Sequence, residues 1–297
     1  MKKVLLCIMD GVGLRKNSLG NAYLNANTPT LDYLMKEYPH TTLEASGEYV
    51  GLPKGQMGNS EVGHSTIGSG RVIYQSLEKI NKSITDKSFY QNKELLSAIN
   101  YAKENNSHLH LIGLLSDGGI HSHISHLFAL LDLCQKENFH NVFIHVITDG
   151  RDTAPDSGIN YILALENKLK ELGFGKIATV CGRYYMMDRD NNYDRVSLAY
   201  NMLVEGSAPK YETAALAWKS NQNKNITDEF IMPSLIDQSG IIRDNDAIIT
   251  FNFRPDRLRE LYSCLTNESF PSFDRTILKN IKLITMMPVA DTVICTN

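Results

Sequence analysis

A chain of 297 residues is long enough for about two domains. Its formal net charge of -3 excludes a nucleic-acid or acidic-membrane partner recognised through bulk charge, so any anion must be held by local clusters of arginine. Hydrophobic residues at 42% and charged residues at 21% fit an ordinary soluble globular protein, and no apolar run approaches the length of a bilayer span.

In chain order, residues 4–9 form a short apolar run that is expected to be a buried strand. The run ends in Asp10 rather than in a cleavage site, so it does not read as a signal peptide, and the cytoplasm is the expected compartment. The 5 cysteines are odd in number, scattered and free of C-x-x-C pairs, which points the same way and against a disulfide frame. Thr28-Pro29 reads as an N-cap with proline at the first helical position, opening a helix that Pro39 ends. Residues 56–70, QMGNSEVGHSTIGSG, show neither a helical nor a strand period and are expected as a glycine-rich loop.

From about residue 92 helix and strand patterns alternate. Helices are expected near 92–105, 123–137, 157–172, 193–205, 211–220 and 256–266, with strands at 108–115, 141–148, 176–181, 246–253 and 281–287. This alternation implies an α/β domain with a mostly parallel sheet. The first 75 residues offer one strand, one helix and much glycine, too little for a core of their own without sheet partners from elsewhere.

Open α/β sheets bind ligands at the carboxyl ends of their strands. The exit loops here read SDGGIHSHISH, DGRDTAPD, GRYYMMDRDNNYDR and RPDR, and they deliver His121, Arg151, Arg183, Arg189, Arg254 and Arg257. Five guanidiniums at one sheet edge suit a ligand carrying a phosphate and a carboxylate. The plainer reading pairs them with Asp152, Asp188 or Asp256. Asp152 is read either as a group that takes a proton from a substrate hydroxyl or as a carboxylate that orients Arg151. His121, His123 and His126 form an H-x-H-x-x-H pattern that suits a metal, or alternatively His123 and His126 start a helix and face outward. Asp10, at the end of the first strand, is placed either to hold a divalent cation or to stabilise a turn. Ser60 lacks a G-x-S-x-G elbow, so metal coordination is the remaining route to an activated hydroxyl, and His64 is read either as a partner of the serine or as a loop residue that caps a turn.

The blocks MDGVG, GLPKGQMGNSEVGHSTIGSGR, GLLSDGGIHSH, DGRDTAP, GRYYMMDRD, NNYDR and NFRPDR together resemble the 2,3-bisphosphoglycerate-independent phosphoglycerate mutases, of the alkaline-phosphatase-like superfamily. The resemblance implies interconversion of 3-phosphoglycerate and 2-phosphoglycerate in glycolysis and gluconeogenesis, with two manganese ions. It implies that Ser60 is the transiently phosphorylated nucleophile and a metal ligand, and that Asp10 is a second ligand. It further implies that His121, Arg151, Asp152, Arg183, Arg189, Arg254 and Arg257 bind substrate, with Asp152 handling the hydroxyl protons. The implied architecture is a mostly parallel α/β transferase domain, residues 75–287, inserted into an alkaline-phosphatase-like domain. Residues 1–74 are the first, incomplete segment of that domain, and 288–297 form a divergent tail. The family's Asp-x-x-x-His and Asp-His ligands and its substrate lysine have no counterpart here, so the chain alone is expected to be inactive. A truncation, a frameshift and a true short protein are all consistent with that. The alternatives are a non-catalytic phosphoglycerate-binding remnant, or another metal-dependent phosphatase or phosphopentomutase of the superfamily. A small-molecule substrate, a monomer, no nucleic acid and no membrane complete the expectation.

Overall fold

The computed structural model describes residues 3–296. Its contacts divide the chain into two units, one up to Glu78 and one from Lys79 onward.

The first unit holds α1 (Ala22–Asn25), α2 (Pro29–Glu37) and α3 (Ser60–Ser69). Pro29 opens α2 as its first helical residue, because a missing N–H costs nothing in a first turn. Its small core is Val50, Leu52 and Val62. Two sequence expectations fail in this unit. Residues 4–9 form no strand, and Val4 and Leu5 are 92% and 91% exposed. A strand needs a neighbour to satisfy its backbone, and the described residues of this unit provide none. Conversely, residues 60–69 are helical despite their glycines. Asn59 accepts the Val62 N–H at 3.1 Å as N-cap, and Gly70 closes the helix in the left-handed conformation.

The second unit follows α4 (Ser76–Thr85), within which the boundary falls. It runs α5 (Lys93–Glu104), β1 (Leu109–Leu114), α6 (Ile124–Lys136), β2 (Val142–Thr148), α7 (Gly158–Leu172), β3 (Lys176–Gly182) and α8 (Arg183–Met186). There follow α9 (Tyr193–Glu205), α10 (Ala214–Gln222), β4 (Ser234–Leu235), β5 (Ala247–Thr250), α11 (Arg259–Thr266) and β6 (Lys282–Thr285). The sheet order is β4-β3-β2-β1-β5-β6. Every pairing is parallel except β3 with the two-residue β4, which the sequence pattern missed because two residues carry no period. β1 and β2 are buried along their whole length, as parallel strands covered on both faces must be. On one face Ile112, Leu114, Ile147, Cys181, Ile248 and Leu283 pack against α9 and α11.

Thr296 bridges to Ile284, the Thr285 N–H donates to the Thr296 carbonyl at 2.8 Å, and Val293 is buried. All 5 cysteines are free. No helix among the described residues is long and apolar enough to cross a membrane.

At the end of β3 the chain passes against residues 229–231. A methyl group on Gly182 would lie 2.3 Å from the Glu229 carbonyl oxygen and 2.7 Å from the Ile231 nitrogen, both backbone atoms. Neither can swing aside, so Gly182→Ala is expected to lower stability by about 1–3 kcal/mol, the usual cost of overpacking. Urea unfolding measures it, and an unchanged midpoint would show that this strand exit is not tightly held.

Candidate functional site

Because β1, β2, β3 and β5 run parallel, their exit loops lie along one edge of the sheet. Asp149, the residue after β2, ties three of them together. Its carboxylate accepts from Ser116 Oγ of the β1 exit at 2.7 Å and from Arg183 Nη1 of the β3 exit at 2.6 Å. It also accepts the N–H groups of Arg151 and Asp152 in its own loop, at 3.2 and 3.0 Å. Burial alone would raise the Asp149 pKa. The bonds from Ser116 and the Asp152 N–H, with the Arg183 charge, outweigh burial and hold the carboxyl below its usual range.

The same guanidinium nitrogen of Arg183 donates to Asp152 Oδ2 at 2.8 Å. Asp152 therefore orients Arg183, not Arg151 as its position in the sequence suggested. Arg151 turns instead to Glu229, at 2.6 Å. Gly118 allows the close approach of the β1 and β2 exits, since a methyl there would fall 2.9 Å from Asp152 Cβ.

His121 lies 4.0 Å from Asp152 Oδ2, and its carbonyl accepts the Phe253 N–H at 2.8 Å, joining the β1 and β5 exits. Burial and then the Arg183 charge push its imidazolium down to about 4, against the opposing pull of Asp152. His121 is neutral at pH 7, its contact with Asp152 is not an ion pair there, and its Nδ1 is buried with no hydrogen-bond partner.

Asp256 serves both Arg189, at 3.1 Å, and Arg254, at 3.3 Å. Asp188 pairs with Arg195 at 3.2 Å and with its own turn, not with the arginines of the site. Among the described residues Arg257 has no carboxylate within 4.0 Å. Burial and then the charges of Arg189, Arg183 and Arg151 lower its pKa. The repulsion places Arg257 in the electrostatic field of three other guanidiniums of the strand exits.

The H-x-H-x-x-H pattern does not assemble. His123 accepts the Ser125 N–H as N-cap of α6, at 3.2 Å. His126 is buried, not outward-facing, and its Nε2 donates to Asn81 Oδ1 at 2.9 Å. Sequence reasoning also passed over Asp149, Ser116 and Glu229. Asp149 stood inside DGRDTAP, beside Arg151, and a carboxylate at a strand's end next to arginines was the available signal.

In the first unit Ser60 Oγ donates to Asp10 Oδ2 at 2.7 Å, across 50 residues of sequence. His64 donates Nδ1–H to the Ser60 carbonyl at 2.7 Å, so it braces the helix and leaves the hydroxyl alone. Asp10 and Ser60 supply two oxygen donors, whereas manganese takes about six hard ligands. Among the described residues neither belongs to a cluster of three or more metal-ligating side chains, so this chain by itself does not fit a two-manganese centre.

Two expectations follow from this geometry. Asp149→Ala leaves the buried Arg183 guanidinium short of a partner and is expected to cost about 3–5 kcal/mol in urea unfolding. Arg183, at 3% side-chain exposure, cannot reach water instead. His121 and His126, pushed to about 4 and about 3, fold as neutral rings, so their contribution is full above the unfolded value of 6.5 and is lost as pH falls toward 4. Stability is expected to drop through that window, and the His121 ring signals in NMR should stay on their neutral plateau at pH 6. A ring that titrates near 6.5 would contradict the burial.

A family model described as "BPG-independent PGAM N-terminus" matches residues 80–291. A 2,3-bisphosphoglycerate-independent phosphoglycerate mutase of Clostridium perfringens (strain SM101 / Type A) is 49% identical over 298 residues, covering 99% of this chain and 58% of that protein. The enzyme of the same name from Onion yellows phytoplasma (strain OY-M) is 52% identical over 297 residues, covering 96% of this chain and 57% of that protein. A Leishmania mexicana phosphoglycerate mutase, solved in crystal structures at low cobalt concentration, superposes with a TM-score of 0.74 at 31% identity, covering 89% of this chain and 51% of that one. The chain thus spans a little over half the length of the curated relatives it matches. Its α/β fold with a mostly parallel sheet, the match over most of its length and the identity near one half all agree: this chain belongs to the BPG-independent phosphoglycerate mutase family.

Proposed function

We propose that this chain is the substrate-retaining and nucleophile-bearing part of an enzyme that interconverts 3-phosphoglycerate and 2-phosphoglycerate through a phosphoserine at Ser60. The observation that carries this reading is the arginine cluster at the carboxyl edge, with Arg257 lacking a carboxylate partner and His121 neutral beside it. Such a site recognises a small dianion that also carries a carboxylate. The arginines hold both ends of the glycerate while its hydroxyls exchange the phosphoryl group, which keeps the second transfer intramolecular. Neutral His121 offers one N–H donor and one acceptor to a substrate hydroxyl. Asp152, held by Arg183, is the carboxylate nearest to it and takes or returns the hydroxyl proton.

The Ser60 hydroxyl points at Asp10, a hard oxygen pair of the kind that lies at the edge of a divalent metal site. Bound cations would lower the serine pKa and neutralise phosphoryl charge. With only two donors in this chain, Ser60 stays a poor nucleophile, and the chain alone binds phosphoglycerate without turning it over. The exposed apolar run at residues 4–9 supports the same reading, since it lacks the sheet neighbours that a complete phosphatase domain provides.

Calorimetric titration of 3-phosphoglycerate at low salt is expected to show saturable binding. Arg257→Gln should weaken it by about tenfold, the worth of one charge-assisted bond at about 1.4 kcal/mol. Absence of any saturable heat would remove the substrate assignment. Fusing the chain to the remaining C-terminal part of the Clostridium perfringens relative should give manganese-dependent formation of 2-phosphoglycerate, lost in Ser60→Ala. A fusion that keeps its rate without the serine hydroxyl would sink the phosphoserine step.

A further inference from the structure

The opposite, amino-terminal edge of the sheet carries a second group of chemistry-bearing side chains. His108 directly precedes β1 and Asp246 directly precedes β5, its neighbour. β1 has six residues and rises about 3.3 Å per residue, so this edge lies roughly 17 Å from the arginine site. His110, the second residue of β1, is fully buried, and Asp246 is nearly so.

His110 Nε2 stands 3.0 Å from Asp246 Oδ2, and His108 Nδ1 stands 3.9 Å from the same oxygen. One donor atom from each of the three residues lies within 4.8 Å of the others, the only such cluster among the described residues. His108 Nδ1 is buried, 3.9 Å from the carboxylate oxygen, and has no hydrogen-bond partner. The other Asp246 oxygen accepts the His108 N–H at 2.9 Å, which fixes the carboxylate plane. The Arg243 N–H, at 2.7 Å from Oδ2, steadies it further.

Behind His110 lies a hydrogen-bonded row across the sheet. His110 Nδ1 meets His145 Nε2 at 2.9 Å, and His145 Nδ1 meets Thr179 Oγ1 at 2.9 Å. The proton positions in this row are dictated by its end. A carboxylate only accepts, so singly protonated His110 carries its proton on Nε2 and accepts at Nδ1. His145 then carries its proton on Nε2 and accepts from the Thr179 hydroxyl.

We propose that His108 Nδ1, His110 Nε2 and Asp246 Oδ2 form a binding site for one divalent transition-metal cation of the zinc class. Two imidazoles and one carboxylate are a common zinc set, with a fourth position left for water. The donor separations of 3.0 and 3.9 Å bracket the edge of about 3.3 Å expected for a tetrahedral shell with bonds of 2.0–2.1 Å. His108 also lines an open cleft of about 740 Å³, together with His140 and Asn141. The site is separate from Asp10 and Ser60, which belong to the other unit.

Binding reverses the row. A cation on His110 Nε2 requires that ring's proton on Nδ1, where it donates to His145 Nε2. His145 in turn holds its proton on Nδ1 and donates to Thr179 Oγ1. His110 Nε2 releases its proton to solvent, the proton between the rings passes from His145 Nε2 to His110 Nδ1, and His145 Nδ1 takes one proton from solvent while the Thr179 hydroxyl rotates to accept, so each ring keeps one proton and the net count is unchanged. The buried partner of a metal-bound histidine is then His145, the supporting acceptor such ligands usually have.

The test is a competition titration of zinc sulfate against a chromogenic chelator, on the whole chain with its thiols kept reduced. One zinc per chain is expected. His108→Ala removes a side chain that makes no hydrogen bond through Nδ1, and it should weaken binding by at least the about 10–100-fold that loss of a supporting partner costs. Asp10→Ala should leave zinc binding unchanged. Long-range ¹H–¹⁵N spectra of the wild-type chain should show His110 and His145 passing from the Nε2–H to the Nδ1–H form on zinc addition. No bound zinc, equal affinity in His108→Ala, or unchanged tautomers in the zinc-loaded protein would each overturn the proposal.

Discussion

The buried pair of Asp149 and Arg183 is the interaction on which the rest of the arginine site depends. One carboxylate at the end of β2 gathers Ser116 from the β1 exit, Arg183 from the β3 exit and two N–H groups of its own loop. Charges this deep are costly to bury unless they are paired and hydrogen-bonded, and here the two charges meet each other directly, with Ser116 and two N–H groups also donating to the carboxylate. With Arg183 fixed, Asp152 is fixed by it, and the imidazole of His121 is kept neutral by burial and that same positive charge. The remaining arginines are then free to present charge outward, each with at most one carboxylate partner.

The two units differ in how completely they are folded, and the reason is topological. In the second unit each parallel strand has neighbours and is covered on both faces, so its core is closed. In the first unit the apolar run at residues 4–9 has no strand to pair with among the residues described, and hydrophobicity alone does not make a strand. The Asp10–Ser60 pair forms nonetheless, because it needs only a capped helix and one hydrogen bond.

Much of the second unit was legible in the sequence. The apolar runs at 108–115, 141–148 and 176–181 and the helical periods between them fall within a residue or two of the observed elements, since a buried parallel strand and an amphipathic helix both write long patterns. The arginine-bearing exits were legible for the same reason, as the residues that follow each strand. The helix at Ser60–Ser69 was hidden by four glycines among residues 56–70, and its signal lay in the flanks, Asn59 as cap and Gly70 as stop. The pairing of charges was not legible at all. Asp152 sits beside Arg151 in sequence and serves Arg183 in space, while Arg151 serves Glu229 from a segment 78 positions later.

The sequence by itself determined the fold class, the family and which loops carry the chemistry, because these depend on local periodicity and on motifs of neighbouring residues. Only the tertiary structure decided which carboxylate holds which arginine, that His126 is a buried structural ring, and that His108, His110 and Asp246 meet at the far edge of the sheet. Those outcomes depend on strand order, which brings β5 beside β1 across more than a hundred residues. They also depend on burial, which no single residue's neighbours in sequence can set.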